Sequence, residues 1–290
     1  MTYFFHRPSF EDIDFIKSKT AERRTEGCDF TSGNLIGWSR FFDGEIADIK
    51  SCLVVRLNKF RSYSFPKGKN YAEALEFMID EFDYPEFSVI EKHDTEIIEE
   101  LFPGKYEFVA SRNNFDYVYS REKLATLKGK KYHAKRNHIA YFERNFNWSF
   151  EPLSRENIDE CIAMNEKWYS MNVEKNKEQI ENEREVLRLN FAHFEEIGGI
   201  GGVLRTDGEV IAFTFGERLN ENPFDTHFEK AYSDIRGAYP MINMLFAQRM
   251  LTDYEFVNRE DDVGSEGLRS AKLSYHPEFM IEKYSALPKK

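Results

Sequence analysis

The chain has 290 residues and a net charge of −11, and 41% of its residues are hydrophobic. This composition excludes a disordered chain, and the negative charge argues against broad, nonspecific binding to nucleic acid. The three cysteines form no Cys-x-x-Cys motif and signal neither a disulfide framework nor a zinc site, so reduced thiols in the cytoplasm are expected. No apolar run approaches the ~18 residues of a membrane span, and no secretory signal is predicted.

The first half predicts a short strand, a helix capped by Ser9, and then a meander of strands. Alternating hydrophobic residues at 46–57 and 61–65 predict a hairpin. A glycine-led helix follows at 71–82. The remaining predicted elements are a strand at 87–91, a helix at 95–101, and strands at 107–110 and 115–119.

The second half repeats this order, beginning at Ser154, where residues 154–159 resemble residues 9–14. Its predicted elements are helices at 156–173 and 177–197, strands at 202–205, 210–218 and 226–232, a glycine-led helix at 239–253, a strand at 256–260, a helix at 266–275 and a strand at 279–285. Internal repetition of this kind predicts two copies of one fold. Each copy is mixed α/β (α+β), with a mostly antiparallel sheet flanked by helices.

The predicted division places one copy at 1–120 and the other at 147–290, joined by a basic helix, or a helix pair broken at Gly129, at 121–146. The second copy is expected to hold the ligand cleft, and the first is expected to be a degenerate version. Residues 258–277 combine four consecutive charges with two glycines and a short helix, and are expected to line that cleft where two strands diverge.

This order of elements is that of the GNAT acyltransferase fold in tandem. Several stretches resemble the family named for the C-terminal domain of phosphatidylglycerol lysyltransferase: residues 228–231 (FEKA) with 236–239 (RGAY), residues 258–262 (NREDD) with 267–269 (GLR) and 272–275 (KLSY), and residues 129–131 (GKK) with 135–137 (KRN). The resemblance implies a bacterial-type enzyme that moves an acyl or aminoacyl group from a coenzyme A thioester, or from aminoacyl-tRNA, to an amine or hydroxyl acceptor.

A second interpretation stays open, in which the chain is a non-catalytic GNAT-like module that binds a coenzyme A ester or a nucleotide. It depends on two departures from the resemblance. Tyr239 and Met241 stand where a pyrophosphate loop has small residues, and the lipid-modifying members carry a membrane domain, which this sequence lacks. The sequence does not specify the acyl group, the acceptor or the oligomeric state.

The resemblance also implies roles for particular residues. The N–H groups at the start of a helix attract anions, so the phosphates of coenzyme A or acyl-CoA are expected at the turn before the glycine-led helix. The expected cofactor-binding residues are Arg236, Gly237, Ala238, Tyr239, Met241, Asn243 and Lys272.

Catalysis requires a base, because an amine acceptor must lose a proton when it attacks a carbonyl. Glu260 and Glu229 are the candidate bases, and Tyr275 is the candidate acid for the leaving group. The alternatives are an ion pair of either glutamate with Lys230 or Arg259, and core packing for Tyr275.

Basic residues are concentrated at 121–136, where only one acid occurs. Contacts with an acceptor or with an anion such as tRNA are expected from Arg259, Arg269, Lys131, Lys135 and Arg136, and the alternative is a solvated helix face. Asp261 and Asp262 have no further ligands at metal-binding spacing, so no metal is expected.

Overall fold

The computed structural model describes residues 3–172, 177–220 and 223–289. Its helices are α1 (Ile13–Arg23), α2 (Ser32–Phe42), α3 (Tyr71–Glu81), α4 (Lys92–Leu101), α5 (Arg121–Thr126), α6 (His133–Asn145), α7 (Ile158–Asn172), α8 (Lys177–Ala192), α9 (Ala238–Arg249) and α10 (Glu266–Leu273). Its strands are β1 (Gly44–Ile49), β2 (Cys52–Leu57), β3 (Ser62–Tyr63), β4 (Glu86–Glu91), β5 (Tyr106–Ala110), β6 (Asp116–Ser120), β7 (Trp148–Pro152), β8 (Ile200–Thr206), β9 (Glu209–Arg218), β10 (Phe224–Ala231), β11 (Phe256–Asn258), β12 (Phe279–Ile281) and β13 (Lys283–Pro288). Val173, the predicted end of one helix, lies outside the described residues.

The strands form two sheets, and each contains one parallel pair within a mostly antiparallel arrangement. The first sheet has the order β1-β2-β3-β4-β13-β5, and the second has the order β12-β6-β11-β10-β9-β8-β7. The parallel pairs are β3 with β4 and β10 with β11, each flanking a glycine-led helix. This arrangement confirms the predicted fold class of two mixed α/β copies.

The two halves exchange one strand each. Strand β6 belongs to the first half of the sequence but pairs with β11 and β12, whereas β13 from the chain's end lies between β4 and β5. Sheet membership therefore crosses the predicted division at residue 120. The single strand predicted at 279–285 is in fact two strands in different sheets, because the chain passes from one sheet to the other at Glu282.

Two further details position the site. The predicted linking helix is interrupted between α5 and α6, where Leu127 and Gly129 have positive φ values of 47° and 100°. Helix α2, which lies in a stretch without a predicted element, packs on α8 of the second half. Their close approach requires glycine, because a Cβ on Gly37 would lie 2.6 Å from Val186 Cγ1.

Candidate functional site

A pocket of about 780 Å³ lies between the two halves of the chain. Its walls are mostly apolar and come from the first half, with Trp38 and Phe42 on α2, Leu57 on β2 and Val89 on β4. Its inner end is polar and is lined by Cys28, Asp29, Asn34, Glu260 and Asp261. The pocket is thus built from both halves, whereas a cleft within the second half was predicted.

Glu260 lines the inner end and is held by two side chains. Its Oε1 accepts hydrogen bonds from Asn34 Nδ2 at 2.8 Å and from His227 Nδ1 at 2.9 Å. The backbone of Glu260 has a φ of 59°, a left-handed conformation that is uncommon for residues other than glycine. Such strain concentrates at functional sites, where the surrounding structure holds it in place.

His227 connects Glu260 to two carboxyl groups behind the pocket. Its Nε2 lies 3.2 Å from Glu217 Oε1, and its Nδ1 lies 3.6 Å from Asp225 Oδ2. Burial by itself would lower the pKa of His227, but hydrogen bonds to Glu217 and Glu260 outweigh it and raise this pKa well above the usual value. The imidazole is therefore protonated at neutral pH.

Asp225 is the member of this group whose carboxyl oxygens lack hydrogen bonds within the part of the chain that the structure describes. Its side chain is 0% exposed, and neither of its carboxyl oxygens has a hydrogen-bond donor among the described residues. Burial, followed by repulsion from Glu260, raises its pKa well above the usual range. The raised pKa favours the protonated carboxyl in the free protein, and a cation bound beside it would favour release of that proton.

A second buried ion pair adjoins this group. Lys283 Nζ lies 2.6 Å from Asp116 Oδ1 and 2.5 Å from Asp29 Oδ2. The Cys28 thiol donates to Asp116, and the pKa of this thiol is raised first by burial and then by the Asp116 charge. Cys28 is therefore a protonated thiol and not a thiolate nucleophile.

The inner end carries more negative than positive groups, and it could hold a cation. The carboxyl groups at this end and directly behind it are those of Asp29, Asp116, Glu217, Asp225, Glu260 and Asp261, and the cations behind it are His227 and Lys283. Potential ligand atoms of Cys28, Asp225 and Glu260 all lie within 4.8 Å of one another. The similar grouping of Cys28, Asp29 and Asp116 surrounds the Lys283 ammonium.

The two predicted bases, Glu229 and Glu260, lie on opposite sides of the second sheet. A bulge in β10 pairs Asp225 with Glu217 but Phe228 with Phe215, so that residue 229 turns to the opposite face. There Glu229 accepts hydrogen bonds from Arg259 Nη2 and from Asn243 Nδ2, both at 2.8 Å. Glu229 thus forms the ion pair with Arg259 that the sequence left as an alternative.

Of the residues predicted to bind coenzyme A phosphates, Gly237, Ala238 and Met241 lie at the start of α9, where α6 packs closely against Gly237. A Cβ on Gly237 would lie 2.4 Å from the carbonyl oxygen of His138. Ala238 and Met241 are fully buried, and their N–H groups donate to Ile235 and Gly237. Arg236 is exposed and stacks on Tyr141, and the Tyr239 hydroxyl accepts a hydrogen bond from Trp168.

Helix α10 supports the loop that carries Glu260. The Lys272 ammonium donates to the carbonyl oxygens of Arg259 and Asp261, and Arg269 forms two hydrogen bonds with Asp262. Tyr275 is buried on the same side as Glu229, with the Arg259 guanidinium 4.8 Å from its ring centroid. Lys272 and Arg269 thus hold the loop in place through groups of the protein itself.

The predicted basic contacts divide between surface and interior. Lys131 is exposed, and Arg136 donates to the carbonyl oxygens of Leu127 and Gly129, which closes the break between α5 and α6. Lys135 is half-buried, 4.0 Å from the ring centroid of Tyr275, and donates to Ser274 Oγ at 2.8 Å. Only Lys135 of these three reaches the side of the sheet that carries Glu229.

Sequence reasoning missed Asn34, Glu217, Asp225 and His227. One signal was available, since simple strand alternation puts three ionisable residues, Asp225, His227 and Glu229, at alternate positions of this strand. The contacts that bring Asn34 and Glu217 to this site from across the chain join residues 184 and 226 positions apart, in the bonds from Gly33 N to Glu217 and from Asn34 to Glu260. No local pattern encodes contacts of that range.

Asp261 gives a pH-dependent prediction. Burial raises the pKa of Asp261 to about 7, against the attraction of Lys283 and with the added repulsion of Asp116, Asp29 and Glu260. The folded state then retains a proton that the unfolded chain has lost above about pH 4, so stability falls as the pH rises from about 4 to 7. Replacing Asp261 with asparagine should remove a slope of at most about 1.4 kcal/mol per pH unit.

Urea unfolding between pH 5 and pH 8 measures this slope, with the exposed Asp253→Asn as the matched control. Parallel profiles for the wild type and Asp261→Asn would contradict the assignment. The control should follow the wild type throughout.

The fold and the pocket define a protein built from two linked mixed α/β halves with a charged site at their junction. A family model described as "Phosphatidylglycerol lysyltransferase, C-terminal" matches residues 20–287. The chain belongs to this family. Among the described residues, no helix combines the length and the apolar character needed to cross a bilayer.

Several individual proteins are similar to this chain. The crystal structure of a conserved protein of unknown function from Bacteroides thetaiotaomicron is 35% identical, with a TM-score of 0.92 over 99% of this chain and 100% of that one. L-PGS from Bacillus licheniformis shares the fold at 18% identity, with a TM-score of 0.66 over 98% of this chain and 93% of that one. An uncharacterized protein of Mycoplasmoides gallisepticum is 27% identical over 67% of this chain, and the match spans 58% of that protein.

Proposed function

We propose that this chain is an aminoacyl- or acyltransferase whose substrate carries a positively charged amine that binds at the inner end of the pocket. The observation that carries the proposal is Asp225, a fully buried carboxyl group without a donor among the described residues. An isolated buried polar group raises the free energy of the folded state. An ammonium supplies both the charge and three N–H donors, so it would satisfy Asp225 and leave Glu260 available as the base.

The family description supports a choice of chemical class for this group. A lysyl group has an ammonium on a flexible apolar stem, and such stems pack along apolar surfaces while the charge reaches a polar site. The pocket has apolar walls that include Trp38 and Leu57, and a polar inner end that includes Glu260. We therefore favour an aminoacyl group with a cationic side chain over a simple acyl group.

The reaction needs one proton acceptor in the pocket. An acceptor amine or hydroxyl attacks the carbonyl carbon of the donor and loses its proton to Glu260, while the bond from that carbon to the leaving oxygen or sulfur breaks and the leaving atom takes up a proton. His227 positions Glu260 through the hydrogen bond at 2.9 Å. Aminoacyl-tRNA and acyl-CoA are both candidate donors, and either places the reaction in the cytoplasm.

Binding of L-lysine methyl ester, with norleucine methyl ester as the matched compound without the side-chain amine, tests the amine site. The lysine ester alone should raise the melting temperature, because a ligand that binds only the folded state stabilises it by about 2.7 kcal/mol at a hundred times its dissociation constant. Asp225→Asn should abolish this shift. Binding should release protons, since Asp225 loses its proton on contact with the ammonium, and calorimetry in buffers of different ionisation enthalpy measures that release.

Equal shifts with both esters would contradict the proposed amine site. Transfer is then assayed with labelled lysyl-tRNA and with acyl-CoA against amine and hydroxyl acceptors. Binding without transfer from either donor would favour a non-catalytic module.

A further inference from the structure

We propose that the face of the second sheet opposite the pocket holds an anion site, formed by Arg259 and Lys135, that binds a phosphate group of the donor. The inference rests on the proposed function, since it assigns the second substrate of the same reaction. Arg259 and Glu260 are adjacent, yet their side chains lie on opposite sides of the sheet, one beside Glu229 and the other beside His227. The loop therefore presents a cation on one side and a carboxylate on the other.

An incomplete set of hydrogen bonds marks the Arg259 side. Arg259 and Glu229 keep 12% and 11% of their side-chain surface exposed, so the pair lies at the bottom of a narrow opening. Nη2 of Arg259 donates to Glu229, but Nη1 is buried and has no acceptor among the described residues. A guanidinium that offers a free, desolvated N–H is suited to an oxyanion, which it can bind through charge-assisted hydrogen bonds.

The charges at this opening favour an anion. Glu229 neutralises the charge of Arg259, and Lys135 adds a second positive charge. Lys135 Nζ and the Arg259 guanidinium lie 4.0 and 4.8 Å from the ring centroid of Tyr275. Burial, followed by repulsion from Arg259, lowers the pKa of Lys135, and Glu229 opposes this shift. An anion bound between them would relieve that repulsion.

A phosphate fits better than a carboxylate because the surroundings are basic beyond these two residues. Lys130 and Lys131 are exposed on the segment that precedes Lys135. A phosphate group with two negative charges, or a chain of phosphates, interacts with the positive field of all these residues. A ligand carboxylate would add only the single negative charge that Glu229 already provides. The site differs from the turn at residues 236–241, whose N–H groups are covered by α6.

Calorimetric titration with inorganic pyrophosphate at low salt tests the site, with acetate as the carboxylate probe. The wild type should bind pyrophosphate and not acetate. Lys135→Gln should weaken pyrophosphate about tenfold, whereas the exposed Lys69→Gln, in the first half of the chain, should change the affinity by less than about twofold. Arg259→Gln should abolish binding, and the double variant Arg259→Gln with Glu229→Gln, which removes the whole ion pair, keeps the test valid if the single variant does not fold.

Displacement of pyrophosphate by coenzyme A or by deacylated tRNA then identifies the source of the phosphate. The Glu260→Gln protein should bind pyrophosphate as the wild type does. A failure of the anion site can therefore be distinguished from a failure of the proposed amine site. An absence of pyrophosphate binding at millimolar concentration, or equal affinities for the wild type and Lys135→Gln, would overturn the proposal.

Discussion

Replacing Lys283 with methionine is expected to lower the free energy of unfolding by about 3–5 kcal/mol, because it leaves buried carboxylates without their cation. The Lys283 side chain is 1% exposed and pairs with both Asp116 and Asp29. Since Lys283 begins β13 in the first sheet and Asp116 begins β6 in the second, this ion pair connects the two exchanged strands. Urea unfolding at pH 7 measures the loss.

The exposed Lys289→Met, near the end of the same strand, is the matched control and should change the stability by less than about 0.5 kcal/mol. A double variant, Lys283→Met with Asp116→Asn, should recover part of the loss, since one uncompensated charge is removed with its partner. A loss for Lys283→Met no larger than that of the control would show that the pair does not stabilise the junction.

Glu260→Gln is expected to reduce transfer activity by about 10² to 10⁴, the usual contribution of a positioned general base. Glutamine keeps the size of the side chain and can accept the hydrogen bond from Asn34, so the loop should stay folded. The measurement is the rate of transfer to the acceptor under saturating donor, together with the unfolding midpoint of the variant.

Glu266→Gln, an exposed change in the first turn of α10, is the matched control and should retain activity. His227→Asn should give an intermediate loss, because it removes the group that orients Glu260 and leaves Glu260 itself. Full activity in Glu260→Gln would exclude this residue as the base.

Residues 258–262, which carry part of the family resemblance, form the loop at the junction of the two halves. Sequence analysis therefore drew attention to the loop that lines the pocket. Residues 258–262 were expected to line a cleft, and Glu260 and Asp261 do line the pocket. Arg259 does not line it. The difference follows from local geometry, because the left-handed conformation of Glu260 redirects its side chain relative to its neighbour. Whether either residue acts in catalysis stays a prediction.

The location of the pocket was harder to predict. Helix α2 forms one of its walls, yet residues 32–42 mix glycines, serines and aromatic residues with no clear helical stripe. This helix is stabilised by packing against α8 and by the hydrogen bond from Gly33 to Glu217, and both contacts are between distant parts of the chain. Tertiary contacts of this kind can impose a helix that local propensity does not specify.

The sequence by itself determined the mixed α/β class, the repetition of one plan in two halves and the order of nearly all elements. Those features depend on hydrophobic periodicity, helix caps and turns, which act between residues close together in the chain. Only the tertiary structure decided that β6 and β13 exchange sheets, that the pocket forms between the halves, and that a bulge in β10 separates Glu229 from Asp225 and His227. Each of these outcomes depends on which distant groups are buried together, and the free energy of buried charges at such a junction is set by partners that no short segment contains.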